Sequence, residues 1–209
     1  MRVRIKICGI TREEDALAAA AAGADALGFN FYARSPRCLT AEQAARIASV
    51  VPGDVTKVAV FVDPTTEEVR RVLDAAPIDL LQFHGNEPAA FCESFAMPYM
   101  KVIRVRDRAP EGLGVLHPRA CAWLLDTFVP GIEGGTGRTF DWSAWPRDVE
   151  RHLVLSGGLT PANVGAAVAA TRPYGVDVAG GVEGGERGVK DTAKLNRFVE
   201  EARRAAAKI

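Results

Sequence analysis

Residues 57–63 read KVAVFVD, and the fold turns on how that stretch is taken. A half-buried strand alternates apolar and polar residues, but here the run between Lys57 and Asp63 is unbroken. A short continuous apolar run is the mark of a parallel strand covered on both faces. Pro64 follows, and then Thr65 with Glu68, a capping box that opens a helix. A buried strand that feeds straight into a helix is the repeating unit of a parallel α/β sheet.

The same unit recurs in both directions along the chain. Strands are expected at 4–8, 26–30, 57–63, 79–84, 100–104, 122–126, 152–156 and 175–179. Helix starts are expected at Thr11 with Glu14, at Thr40 with Gln43, at Thr160-Pro161 and at Asp191. The last helix ends on Arg203, Arg204 and Lys208, charges that suit a carboxyl terminus. Asp107, Pro110, Gly112, Gly114 and Pro118 punctuate the fifth unit, so its helix is expected to be short or absent. Eight such units in 209 residues give roughly 26 residues each, close to the lower size limit of a (β/α)8 (TIM) barrel. A doubly wound open sheet is the alternative. No linker or low-complexity segment divides the chain, which reads as one domain over residues 1–209.

Barrel enzymes place their chemistry at the carboxyl ends of the strands. Those ends read Cys8, Asn30, Asp63, His84, Arg104, Asp126, Ser156 and, within the last strand, Asp177. A core has no use for such a set, whereas a polar ring around a barrel mouth does. Most strand cysteines act as small hydrophobes. Cys8 differs because Gly9 follows it and lets a ligand approach the backbone. Asp126 closes the apolar run 122–125, and burial there favours the protonated carboxyl that a general acid needs. His117 lies in a loop and His152 opens a strand, so the three histidines do not share one end of the barrel and no metal site is expected.

Glycine clusters follow three late strands: 134–137, 157–158 and 180–181. The latter two occupy the loops after strands 7 and 8, where barrels commonly bind phosphate on backbone N–H groups. Gly137-Arg138-Thr139 does not complete a nucleotide-triphosphate loop, because Ile132 and Arg138 stand where glycine and lysine are required. Residues 129–139 read instead as a glycine-rich lid. Arg37, after Ser35-Pro36, offers a planar fork to a carboxylate.

The net charge is zero and the isoelectric point is about 6.8, so no global field recruits nucleic acid or an anionic membrane. No apolar signal segment or membrane-length run is present, which predicts a cytosolic protein. Four cysteines with no CxxC pair predict reduced thiols.

Taken in order, Lys6-Ile7-Cys8-Gly9-Ile10, Ser35-Pro36-Arg37, Leu81-Gln82-Phe83-His84-Gly85, Leu125-Asp126, Gly134-Gly135-Thr136-Gly137, Ser156-Gly157-Gly158-Leu159, Val176-Asp177, Gly181-Val182-Glu183 and Gly188-Val189-Lys190-Asp191 resemble the phosphoribosylanthranilate isomerase family of tryptophan biosynthesis. The resemblance implies an Amadori rearrangement without cofactor or metal, on a phosphosugar substrate, by a monomer or homodimer. It implies Cys8 as general base and Asp126 as general acid, with Arg37 on the anthranilate carboxylate. It places His84 and Asp177 at or just behind the substrate, and Gly135, Gly157, Gly158, Gly180 and Gly181 around the phosphate. Lys6 shares the inward parity of Cys8 and is expected to act on it electrostatically. The Cys8 thiol is expected to ionise more readily than usual, or to be shifted by substrate. Ala179-Gly180-Gly181 departs from the family, which commonly carries hydroxyl or amide side chains there, so side-chain donors to the phosphate are lost. Two other readings are a Schiff-base lyase, which needs a strand-end lysine, and a non-catalytic phospholigand-binding barrel.

Overall fold

Eight parallel strands close on themselves in sequence order, β1 pairing with β8, so no edge is left open. The computed structural model describes residues 2–105, 113–127, 141–146 and 152–209. The strands are β1 (Arg4–Cys8), β2 (Ala26–Asn30), β3 (Thr56–Phe61), β4 (Leu80–Phe83), β5 (Tyr99–Val105), β6 (Ala122–Thr127), β7 (Leu153–Leu155) and β8 (Gly175–Val178). The open-sheet alternative is thereby excluded. Helices α1 (Glu13–Ala22), α2 (Ala41–Ser49), α3 (Thr66–Ala75), α4 (Ala89–Glu93), α5 (Leu113–Leu116), α6 (Val164–Thr171) and α7 (Thr192–Ala206) lie between or after them. Among the described residues, the fifth unit carries a short helix, the four residues of α5. None of the described helices is long and apolar enough to cross a membrane.

Residue parity sorts the core into two layers. Ile5, Ile7, Leu27, Phe29, Phe61 and Trp123 point outward into the layer between sheet and helices. Cys8, Val58, Val60 and, further round, Met100, Val102, Leu124 and Val154 fill the barrel itself. Because Cys8 and Lys6 alternate with Ile5 and Ile7, both polar residues of β1 face inward.

Two of the expected caps form as complete boxes, Thr40 with Gln43 on α2 and Thr65 with Glu68 on α3, and Asp191 caps α7. Two others do not form. Thr11 sends its hydroxyl 2.7 Å to the carbonyl of Gly188, and Arg12 takes the N-cap position of α1 without a side-chain bond. Helix α6 starts three residues later than expected, at Val164 with Asn163 as N-cap, because residues 160–163 form a turn in which Asn163 Oδ1 accepts from Thr160 N. Asp63 lies past the end of β3 with φ 45°, and its carboxylate accepts from Asn86 N, so it ties a loop and leaves the polar ring.

Candidate active site

The register of the sheet decides what meets at the mouth. Pairing Lys6 with Asp177 across β1 and β8 brings the ammonium 2.7 Å from Asp177 Oδ1, with both side chains buried. Ser156, just past β7, donates to the other carboxylate oxygen at 3.1 Å. Pairing Cys8 with Gly28 sets the thiol over a residue without a side chain. A β-carbon at Gly28 would stand 2.8 Å from Cys8 Sγ and 3.1 Å from Lys6 Nζ. The missing side chain of Gly28 is therefore the space that sulfur and ammonium share.

Burial pushes the Cys8 thiol up, and Asp177 adds to this, while Lys6 and Lys190 draw it back; the net direction is upward. Of the two expectations for the thiol, ready ionisation without substrate is not met, since the cations only partly offset the loss of water, and a shift on substrate binding remains. Burial also works against the Lys6 ammonium, yet Asp177 and Cys8 outweigh it and push the amine up to about 12. An amine held protonated in this way is a poor Schiff-base nucleophile, which counts against a lyase.

Gly9, at φ 71°, turns the chain away from Cys8 in a conformation that disfavours other residues. The stem of Arg37 packs against it, where a β-carbon would lie 2.3 Å from Cδ. One edge of the Arg37 guanidinium is gripped by Glu183, Nε to Oε1 at 2.6 Å and Nη2 to Oε2 at 2.8 Å. Lys190 Nζ, fully buried, donates to the Cys8 carbonyl at 2.7 Å, to the Ala179 carbonyl at 3.1 Å and to Glu183 Oε1 at 3.2 Å. Burial tends to raise the Glu183 carboxyl, but Arg37 and Lys190 hold it below its ordinary value. This clamp joins the ends of β1 and β8 to the arginine. Glu183 and Lys190 stand out in sequence only through the family resemblance, because their partners are remote along the chain.

Asp126 is buried at the end of β6, with Oδ1 accepting from Thr127 N at 2.9 Å. His84 Nε2 lies 3.3 Å from Asp126 Oδ2 but off the hydrogen-bonding direction, so that nitrogen has proximity without a bond. Arg104, in register with Asp126, donates from Nη2 to the His84 carbonyl at 3.1 Å. In sequence Arg104 is one more polar strand end, and its place beside Asp126 is a matter of register. On the side of β7 and β8, Gly157-Gly158 and Gly180-Gly181 form adjoining loops, Gly181 lying against the Leu159 carbonyl. Among the described residues, the N–H groups of Gly157, Gly158 and Gly180 donate to no protein acceptor. Gly135 and the rest of the 129–139 segment lie outside the described residues. His117 is buried against Tyr99 and Trp123, and His152 stacks on Tyr174. Among the described residues, no group of three or more His, Cys, Asp or Glu side chains is placed to hold a metal.

A closed parallel barrel with a buried thiol, a buried carboxyl and open glycine amides at one mouth defines a TIM barrel with groups suited to proton transfer. The sequence profile of N-(5'-phosphoribosyl)anthranilate (PRA) isomerase matches residues 5–201, and the chain belongs to that family. It is 53% identical over 204 residues to the N-(5'-phosphoribosyl)anthranilate isomerase of Pseudomonas fluorescens, covering 97% of each chain. The crystal structure of the Thermotoga maritima phosphoribosyl anthranilate isomerase superposes with a TM-score of 0.84 at 40% identity, covering 96% of this chain and 98% of that one. A second structure, of phosphoribosyl anthranilate isomerase in complex with reduced 1-(o-carboxyphenylamino)-1-deoxyribulose 5-phosphate, superposes at 0.77 with 36% identity and coverage of 96% and 98%.

Proposed function

We propose that the chain rearranges N-(5'-phosphoribosyl)anthranilate to 1-(2-carboxyphenylamino)-1-deoxyribulose 5-phosphate, with Asp126 as general acid and Cys8 as general base. Asp126 gives its proton to the furanose ring oxygen as the bond from that oxygen to C1' breaks, and the anthranilate nitrogen pair forms a protonated Schiff base. The Cys8 thiolate then takes the C2' proton, and the electron pair moves into C1'–C2' to give the enolamine. Tautomerisation moves a proton from the C2' hydroxyl to C1' and leaves the ketone. One proton is lost by Asp126 and one is gained by Cys8, so the product is an isomer of the substrate.

The observation that carries this reading is the buried pair of proton-transfer groups at one mouth, Cys8 on β1 and Asp126 on β6. A barrel that merely bound a phospholigand would have no use for both. Arg37 keeps Nη1 for the anthranilate carboxylate while Glu183 holds its other edge. The amides of Gly157, Gly158, Gly180 and Gly181, with Gly135, receive the phosphate, and His84 lies beside the acid. Asp177 stands one layer behind, since Lys6 and Ser156 take both its oxygens. The same reading carries one catalytic domain over residues 1–209, a cytosolic setting, a monomer or homodimer, no cofactor and no nucleic-acid partner.

Loss of substrate fluorescence, followed on freshly generated N-(5'-phosphoribosyl)anthranilate, tests it. Cys8→Ala and Asp126→Asn are each expected to cut turnover by about 10²-fold or more. Near-normal turnover in either variant removes the role assigned to that residue.

A further inference from the structure

Burial alone would keep Cys8 protonated, so the fold must supply something that makes a thiolate affordable inside the barrel. Three cations approach it. Lys190 comes from the segment after β8, but its three N–H groups are committed to the Cys8 carbonyl, the Ala179 carbonyl and Glu183. Arg37 comes from the loop after β2, with Nε and Nη2 committed to Glu183. Lys6, on β1 itself, gives one hydrogen bond to Asp177 on β8 and keeps its other donors. Neither β2 nor β3 adds a charge next to the sulfur: Gly28 leaves the space open, and Val58 and Val60 pack against Cys8. The anions in reach, Asp177 and Glu183, are each already paired with a cation.

We propose that Lys6, anchored by Asp177, is the fixed counter-cation of the Cys8 thiolate. This rests on the reading of Cys8 as the base. The thiol gives its proton to solvent, the thiolate faces the ammonium over Gly28, and it then takes up the C2' proton of the substrate. Asp177 is a positioning residue: with one oxygen on Lys6 and the other on Ser156, it keeps the long lysine side chain in one place. A buried ion pair that held only the barrel together would have no reason to sit where its cation meets the catalytic sulfur.

The test is a titration of thiolate ultraviolet absorbance, taken as the difference from the matching Cys8→Ala protein, for wild type, Lys6→Met, Lys6→Arg and Lys6→Met/Asp177→Asn. The double variant removes both charges at once, so it leaves no buried carboxylate unpaired and carries the test even where Lys6→Met alone fails to fold. The Cys8 midpoint is expected to rise by about one to three pH units in Lys6→Met, and by a smaller step in the double variant, where the upward push of Asp177 is lost as well. Lys6→Arg is expected to restore it, and the alkaline rise of kcat/KM to move in parallel. An unchanged midpoint in the folded double variant overturns the proposal. The absorbance needs no substrate, so a shifted midpoint with full turnover in Cys8→Ala would instead count against Cys8 as the base and leave the ion pair's effect on the thiol intact.

Discussion

Two of the buried lysine–carboxylate pairs among the described residues are of nearly equal length, and they do different work. Lys101 meets Glu87 at 2.9 Å and Lys6 meets Asp177 at 2.7 Å, with all four side chains buried. Lys101 points outward from β5, and its ammonium also reaches the carbonyls of Phe83 at 3.3 Å and Gly85 at 2.7 Å. The free oxygen of Glu87 accepts from Asp63 N and Gly85 N. Every donor of that lysine and both oxygens of its partner are satisfied, so the pair locks the loop after β4, on which His84 rides. Lys6 points inward and gives one hydrogen bond to Asp177, with its ammonium and the Cys8 sulfur bordering the same space above Gly28. A buried charge whose valences are all filled holds structure, and one left partly open beside a reactive atom is available to chemistry.

Breaking the saturated pair should have the largest effect on stability. Lys101→Met leaves Glu87 buried and unpaired, at an expected cost of about 3–5 kcal/mol in urea unfolding. A loss below about 1 kcal/mol would show that the loop is held by other contacts. On the open side, Gly28→Ala pushes a methyl into the space between Cys8 Sγ and Lys6 Nζ. Displacing the base in this way should lower kcat about 10²-fold, with thermal unfolding changed far less. An unchanged kcat would mean that the sulfur can move aside without loss.

The Arg37–Glu183–Lys190 clamp lies between these extremes. Glu183 is held below its ordinary carboxyl value by Arg37 and Lys190 in spite of burial. Its share of stability is therefore present above the unfolded carboxyl range and lost as pH falls through the lowered native value. Glu183→Gln should cost about 1–3 kcal/mol at neutral pH. It should also flatten the decline toward acid, so that the two unfolding curves converge there; parallel curves would refute the assignment. The smallest effect concerns the phosphate loop. Among the described residues, a β-carbon at Gly180 would meet only Arg37 Nη2 at 3.5 Å and Glu183 Oε2 at 3.8 Å. Gly180→Ser therefore fits, and a hydroxyl donor there should lower KM about fivefold, the equivalent of one net hydrogen bond of about 1 kcal/mol. A raised KM would mean that the backbone amides already fill the anion's coordination.

Much of the frame was legible in the residues. The bounds of β1 and β2 match those read from the apolar runs, and the caps at Thr40, Thr65 and Asp191 involve partners three residues away. The caps at Thr11 and Thr160 do not form, the second because Asn163 takes Thr160 N in a local turn and α6 starts only at Val164. A hydroxyl answers to whatever acceptor the fold brings near, and for Thr11 that was Gly188, 177 residues along the chain. Ready ionisation of Cys8 without substrate is not met either, since a strand-end cysteine does not announce how completely its neighbours will exclude water.

Local pattern was enough for the order of strands and helices, the inward parity of Lys6 and Cys8, and the presence of an acid and a thiol at strand ends. These depend on periods of two and 3.6 residues, which are properties of adjacent sequence. The closure of β8 onto β1 lay beyond that reach. It pairs Lys6 with a carboxylate 171 positions away, beside the sulfur that the pairing of β1 with β2 sets over Gly28. Charge–charge energies vary inversely with distance in space and take no account of separation along the chain, so they took effect only once the barrel had closed.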